Sequence, residues 1–317
     1  MSSYWKNKKV VVTGGKGFLG SYVVEALQNK NCKEVYALGS KDYDLTDLNN
    51  IKKLYLDYNP DIVIHLAAAV GGIGANQAFP GSYFYKNIIM GTQLMEQARL
   101  FNIEKFVNIG TICCYPKITT VPFKENDLWE GYPDEITGYY GMAKKMLLIQ
   151  SDGYRKEYGF NSIFLMPTNL YGPRDNFKGE FAHVMPALIN KFYDAKVNNI
   201  SSVTCWGTGT ATREFLHVRE CAEGILLATE NYNSSEPVNL GTGIETSIKY
   251  LAELIKKNIG YEGEIIWDSS RPDGQPRRCL DITKAKKEFS FESSISIEHG
   301  LAETIEWYIK YREEVEA

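Results

Sequence analysis

Histidine, metal-spaced cysteine and long apolar runs are what this chain has little of. The four histidines stand apart, no Cys-x-x-Cys occurs, and the six cysteines (Cys32, Cys113, Cys114, Cys205, Cys221, Cys279) are scattered through 317 residues. These absences argue against a structural zinc site and a disulfide framework, so no bound metal is expected. No apolar run approaches the length of about 18 residues that would cross a bilayer, and the opening Met-Ser-Ser-Tyr-Trp-Lys does not read as a signal peptide. A cytoplasmic protein without a membrane partner is the expectation. A basic excess is missing too: 35 Lys and Arg face 39 Asp and Glu, for a net charge of −4, which leaves no field for nucleic acid. Neither an internal repeat nor a low-complexity tract is present. The remainder is an ordinary globular composition, 44% hydrophobic and 23% charged, long enough for one large or two modest domains.

Glycine, by contrast, is plentiful, and the stretch Val10-Val11-Val12-Thr13-Gly14-Gly15-Lys16-Gly17-Phe18-Leu19-Gly20 organises the chain. The β-branched run reads as a buried strand. The glycines after it let the backbone turn tightly and approach a pyrophosphate, which would rest on the N-terminus of the following helix. Short apolar runs at 9–13, 34–38, 61–66, 105–111 and 162–166 alternate with helical patterns at 18–29, 48–58 (Asp47 as N-cap), 81–101 and 138–158. That pattern of βαβ units predicts an α/β fold built on a doubly wound parallel Rossmann sheet. Past the joint Tyr171-Gly172-Pro173 the pattern is less regular, with helices expected at 181–195, 220–230, 247–259 and 297–312 and a second joint at Arg271-Pro272-Asp273-Gly274. Residues 1–172, with returns near 214–246, are expected to form the nucleotide-binding domain. Residues 173–317 are expected to form mainly a smaller, mixed α/β substrate-binding domain at the carboxyl ends of the strands.

A site for an unphosphorylated ribose places a carboxylate at the end of the second strand. Here that strand, Val35-Tyr36-Ala37-Leu38, runs into Gly39-Ser40-Lys41, so Lys16 and Lys41 are placed to neutralise a 2′-phosphate and Ser40 to donate to it. NADP(H) is therefore the expected cofactor, with Asp42 the residue that speaks for NAD(H). The expected cofactor contacts here are Gly14, Gly15, Lys16, Gly17, Phe18, Leu19, Gly20, Ser40 and Lys41.

Tyr140 and Lys144 lie at i and i+4 on one helix face. A phenol whose pKa is lowered by an adjacent ammonium is an acid/base, and the lysine would also reach the cofactor's ribose. Tyr4 to Lys8 has the same spacing but precedes the first strand. Thr111, at the carboxyl end of the fourth strand, is the candidate hydroxyl to share the substrate's carbonyl oxygen, against the plainer reading of a loop cap. Cys113 and Cys114 follow it.

The glycine turn and the Tyr/Lys pair resemble the extended short-chain dehydrogenase/reductases. Residues 65–76, 166–177, 183–188, 206–218 and 272–278 more specifically resemble the GDP-L-fucose synthase family, the GDP-4-keto-6-deoxy-D-mannose 3,5-epimerase/4-reductases. The resemblance implies Cys113 as the base that removes protons at C3 and C5, His183 as the acid that returns them, and NADPH-dependent reduction at C4 to GDP-L-fucose. It implies substrate contacts from Asn169, Lys191, Trp206, Arg213 and Arg278, with Arg277 structural. Further cofactor contacts are expected from Leu66, Ala67, Ala68, Lys144, Pro167, Asn169, Leu170 and His183. The chain departs from the family pattern at Gly15, where others carry histidine, at Thr111, where many carry serine, and at Lys191, where arginine is common. The resemblance also implies a homodimer through helices 81–101 and 138–158; Ile88, Leu94, Met95, Met146 and Ile149 offer apolar surface there, and the sheet is the equal alternative for them to face. Three rival readings stay open: a GDP-sugar 4-ketoreductase without full epimerisation on a related deoxy or heptose sugar, a dehydratase, and a non-catalytic NADP-binding regulator. The dehydratase reading is disfavoured because Thr111-Ile112-Cys113 stands where those enzymes have Thr-Asp-Glu.

Overall fold

The computed structural model describes residues 3–178, 182–271 and 273–316; Phe181, the expected start of a helix, and Pro272 of the second joint lie outside the described residues. The first half runs β1 (Lys9–Thr13), α1 (Phe18–Asn29), β2 (Glu34–Leu38), α2 (Leu48–Tyr58), β3 (Ile62–His65), α3 (Ile73–Ala78), α4 (Pro80–Leu100), β4 (Lys105–Ile109), α5 (Gly138–Tyr158) and β5 (Ser162–Pro167). Local chemistry sets these bounds. Asp47 caps α2 by accepting from Asn49 N at 2.8 Å, and Asn59 ends it in the left-handed region. Pro80 sits in the first turn of α4, and Gly159 closes α5.

The second half follows as β6 (Asn169–Tyr171), α6 (Val184–Val197), β7 (Ser202–Trp206), β8 (Thr212–His217), α7 (Val218–Asn231), β9 (Val238–Leu240), β10 (Glu245–Ser247), α8 (Ile248–Ile259), β11 (Glu264–Asp268), β12 (Arg277–Arg278), α9 (Thr283–Phe289) and α10 (Ile297–Glu316). The main sheet is parallel throughout, in the order β2-β1-β3-β4-β5-β9. The order reverses between β1 and β3, and a crevice opens there at the carboxyl ends of the strands. One sheet face buries its Val and Ile against α1 and α7, and the other against α2, α4 and α5. A third core joins α6, α8 and α10 to the small β7–β11 sheet. β8 pairs with β6, β10 and β12, which ties the second half to the crevice.

Of the residues left open between a dimer surface and the sheet, Leu94 and Met95 face the core. Leu94 and Met95 are fully buried against the main sheet, and Tyr55 donates to the Leu94 carbonyl at 2.9 Å. Helical periodicity marks an apolar face without saying what covers it. Ile149 is exposed, as are Phe84 and Tyr85 on α4. Among the described residues no helix is long and apolar enough to cross a membrane.

Candidate active site

The crevice widens into a cavity of about 1760 Å³. Its floor on the β1 side is the glycine turn. Gly14 has φ +71, and a Cβ on it would stand 2.9 Å from Ala67 N; a Cβ on Gly20 would stand 2.0 Å from Gly14 O. Gly17 caps α1 without a side-chain bond, so the first helical turn meets the cavity together with Lys16, Phe18 and Leu19. This tight turn, closed by backbone contacts that a Cβ on Gly14 or Gly20 would break, leaves a cradle that fits a dinucleotide pyrophosphate. Leu66, Ala67 and Ala68 form the facing edge, and Asn87 holds the next residue by accepting from Ala69 N at 3.1 Å and donating to Ala69 O at 2.8 Å. Pro167, Asn169 and Leu170 line the cavity at the end of β5.

Two expected cofactor contacts do not reach that wall. Gly15 is wedged between strands, where a Cβ would meet Val12 O at 2.7 Å and Ala37 Cα at 2.8 Å. Its role is close packing of the turn. Ser40 lines the cavity and Lys41 does not. Lys16 does, but its ammonium is held by Asp42 at 2.8 Å, and the same carboxylate accepts from Gly39 N at 2.7 Å.

The reacting groups gather where α5 presses on the turn after β4. A Cβ on Gly141 would lie 2.1 Å from the Cys113 carbonyl oxygen, so only glycine lets the helix sit this close and bring Tyr140 beside Cys113. Thr111 makes the loop cap of the plainer reading and also faces the cavity. Its hydroxyl caps the turn 112–114 by accepting from Cys113 N at 3.2 Å, and it lines the cavity with its own proton left to donate. The two cysteines separate cleanly. Cys113 stands on the cavity wall, whereas Cys114 is fully buried, donates to Gly141 O at 3.3 Å, and has its thiol pushed up to about 12 by burial.

Tyr140 and Lys144 are both buried at the cavity. The expectation that Lys144 lowers the tyrosine's pKa is not met. Burial raises Tyr140 well above a free phenol, and Cys113 and Cys114 add to that. Burial also lowers Lys144, to about 8. Beneath them Thr13 Oγ1 and His65 Nδ1 lie 2.8 Å apart, and burial and then Lys144 keep His65 neutral. His183 caps α6 with its backbone only; its ring is open to the cavity, and the protein around it lowers its basicity.

The opposite wall is cationic. Parallel pairing of β12 with β8 makes Arg278 the register partner of Arg213. Arg213 donates to Thr212 O at 2.7 Å and Asp273 O at 3.2 Å, and burial followed by Arg278 lowers it to about 10. Arg278 Nε is buried without a partner, and among the described residues neither guanidinium is in an ion pair. Asp273 and Asp134 act on Arg213 from a distance without pairing with it, and two adjacent guanidiniums outside any ion pair suit a ligand with more than one negative charge. Lys191 lines this wall while donating to Thr204 O. Trp206 is 63% exposed with Arg271 over its ring at 5.2 Å. Asn169 donates to Glu214 O at 2.9 Å, joining β6 to β8. Sequence reasoning missed Asp134, Thr137 and Arg271, which also line the cavity. Thr137 lies one helical turn ahead of Tyr140, a spacing that could have singled it out.

The model of the NAD dependent epimerase/dehydratase family matches residues 10–241. The chain belongs to this family. Within the family it is similar to a protein of Oryza sativa subsp. japonica named probable GDP-L-fucose synthase 1, with 38% identity over 96% of this chain and 93% of that one. Two solved structures superpose closely. A GDP-6-OMe-4-keto-L-xylo-heptose reductase from C. jejuni has a TM-score of 0.91 and 28% identity, covering 96% of this chain and 98% of the other. A GDP-L-fucose synthetase from Naegleria fowleri bound to NADP has a TM-score of 0.89 and 31% identity, covering 97% of this chain and 94% of the other.

Proposed function

We propose that this member of the family is an NADP(H)-dependent enzyme that epimerises GDP-4-keto-6-deoxy-D-mannose at C3 and C5 and reduces it at C4 to GDP-L-fucose. One observation carries the reading: Cys113 and His183, from separate elements, line the same cavity as Tyr140. Protons beside a ketone become removable when the developing enolate oxygen is hydrogen-bonded, and Tyr140 and Thr111 supply those donors. Cys113 takes a proton from C3 or C5, and His183 returns one. Arg213 and Arg278 hold the diphosphate, Lys191 adds a third cation, Trp206 offers a flat face, and Asn169 lines the passage between sugar and cofactor. The reduced nicotinamide, when bound, supplies the hydride for C4. Tyr140 gives its proton to the C4 oxygen, and its raised pKa keeps that proton in place at neutral pH. Lys144 holds its charge beside it.

NMR of the product formed in deuterated buffer tests the reading, which expects deuterium at both C3 and C5. The likeness to a heptose reductase favours a second reading, reduction without full epimerisation. That reading expects NADPH consumption with deuterium at one carbon or none. We also propose a cytoplasmic homodimer built on α4 and α5. All six cysteines are free thiols, as a reducing compartment maintains them, and Phe84, Tyr85 and Ile149 leave an apolar face exposed. A monomeric mass by light scattering at micromolar concentration would refute the dimer.

A further inference from the structure

The end of β2 holds an anion of the protein's own. Thr13 and Leu38 are register partners, so Gly39 and Ser40 emerge beside the glycine turn, and Lys16, Gly39 and Ser40 line the cavity there. The Asp42 carboxylate binds the Lys16 ammonium through both oxygens, at 2.8 and 2.7 Å, and accepts from Gly39 N at 2.7 Å. Lys16 and Gly39 N, with Ser40 beside them on the cavity wall, are donors suited to a 2′-phosphate. We propose that Asp42 is an internal competitor for the cofactor's 2′-phosphate, holding Lys16 and Gly39 N until the phosphate exchanges for it.

Two physical points support this. The Lys16 side chain is 60% exposed and that of Asp42 30%, and an ion pair this open is weak enough to exchange. A carboxylate left near a phosphate dianion repels it, so the exchange must swing Asp42 away, and that lowers affinity for the phosphorylated cofactor. The same carboxylate also sets how sharply the two nicotinamide cofactors are told apart. Without it, discrimination toward NADP(H) increases.

This inference rests on the NADP(H) reading, and the experiment separates the two. Affinities for NADPH, NADH, adenosine 2′,5′-bisphosphate and 5′-AMP are measured by titration on the full-length wild type, Asp42→Asn, Asp42→Ser, Lys16→Met and the Lys16→Met/Asp42→Asn double variant. Both Asp42 variants are expected to bind NADPH and the bisphosphate about tenfold more tightly at low ionic strength, with a smaller gain in high salt. NADH and 5′-AMP should stay within about twofold. Lys16→Met should weaken the bisphosphate, and in its background Asp42→Asn should gain less than about threefold, because the contested cation is gone. An unchanged or weaker bisphosphate affinity in both Asp42 variants overturns the proposal. So does a loss of NADH affinity beyond about threefold, which would make Asp42 a ribose ligand. If the wild type prefers NADH, the cofactor reading fails on its own, and the bisphosphate still reports whether Asp42 competes.

Discussion

The two walls of the cavity are built on different physical terms. The wall of Thr111, Cys113, Tyr140 and Lys144 is held by backbone contact: α5 meets the 112–114 turn at Gly141, Cys114 closes the seam, and burial moves the pKa of both Tyr140 and Lys144. The wall of Arg213 and Arg278 is held by sheet register, and among the described residues neither guanidinium is in an ion pair, with Asp273 and Asp134 acting on Arg213 only from a distance. The first wall is arranged to hold and release protons in a desolvated place, the second to hold an anion still. Substitutions on the first should therefore move turnover, and on the second substrate affinity.

The largest effect is expected at Tyr140. Tyr140→Phe keeps the ring and its packing but removes the proton donor, so 4-keto reduction should fall about a thousandfold in kcat with KM nearly unchanged. A decrease below tenfold would remove Tyr140 from the chemistry. Next is the cysteine pair. Cys113→Ser should cut deuterium incorporation at C3 and C5 about a hundredfold while leaving reduction of the ketone measurable. Cys114→Ser, at a buried thiol already pushed up to about 12, should leave incorporation within a few-fold of wild type. The reverse ranking would exchange their roles.

How much of this contrast was legible in the sequence differs between the walls. β1 and α1 were readable because a β-branched run and a glycine turn leave few alternatives, and Tyr140 and Lys144 because i, i+4 spacing is local. The sign of the Tyr140 shift was not readable, since the sequence displays the neighbouring ammonium but not the burial that raises the phenol. Lys41 sits close to Ser40 in sequence, yet only the loop's path decides which of them meets the cavity. Leu94 and Met95 stay open between a partner surface and the core in the sequence, because a helix face looks the same whether a sheet or a second molecule covers it. The Arg213–Arg278 pair was invisible as a pair: each residue fitted the family resemblance, but only the parallel β8–β12 ladder makes them neighbours. β6, β9 and β10, with three residues each, are too short for an alternating pattern to register.

On the anion wall, Arg278→Ala and Arg213→Ala should each raise KM for the GDP-sugar by tens of fold, the worth of one charge-assisted phosphate contact, with kcat within about threefold and NADPH affinity unchanged. A loss confined to kcat would place these arginines on the reacting sugar and erase the distinction between the walls.

The smallest effect separates two proton donors by pH. Burial lowers Lys144 to about 8, so its ammonium is present below that pH and lost above it, while Tyr140, shifted upward, keeps its proton throughout this range. Reduction should therefore be flat below pH 8 and fall at most tenfold per unit above it. Lys144→Arg, whose guanidinium does not titrate there, should remove that limb even if its plateau is lower. His183 is lowered from an ordinary imidazole value of 6.5, so its donor form is already a minority at neutral pH and shrinks further as pH rises. Deuterium incorporation should thus decline across the neutral range, where reduction is still flat. If epimerisation and reduction instead share one pH profile in product NMR, a single group limits both, and His183 is not the second donor.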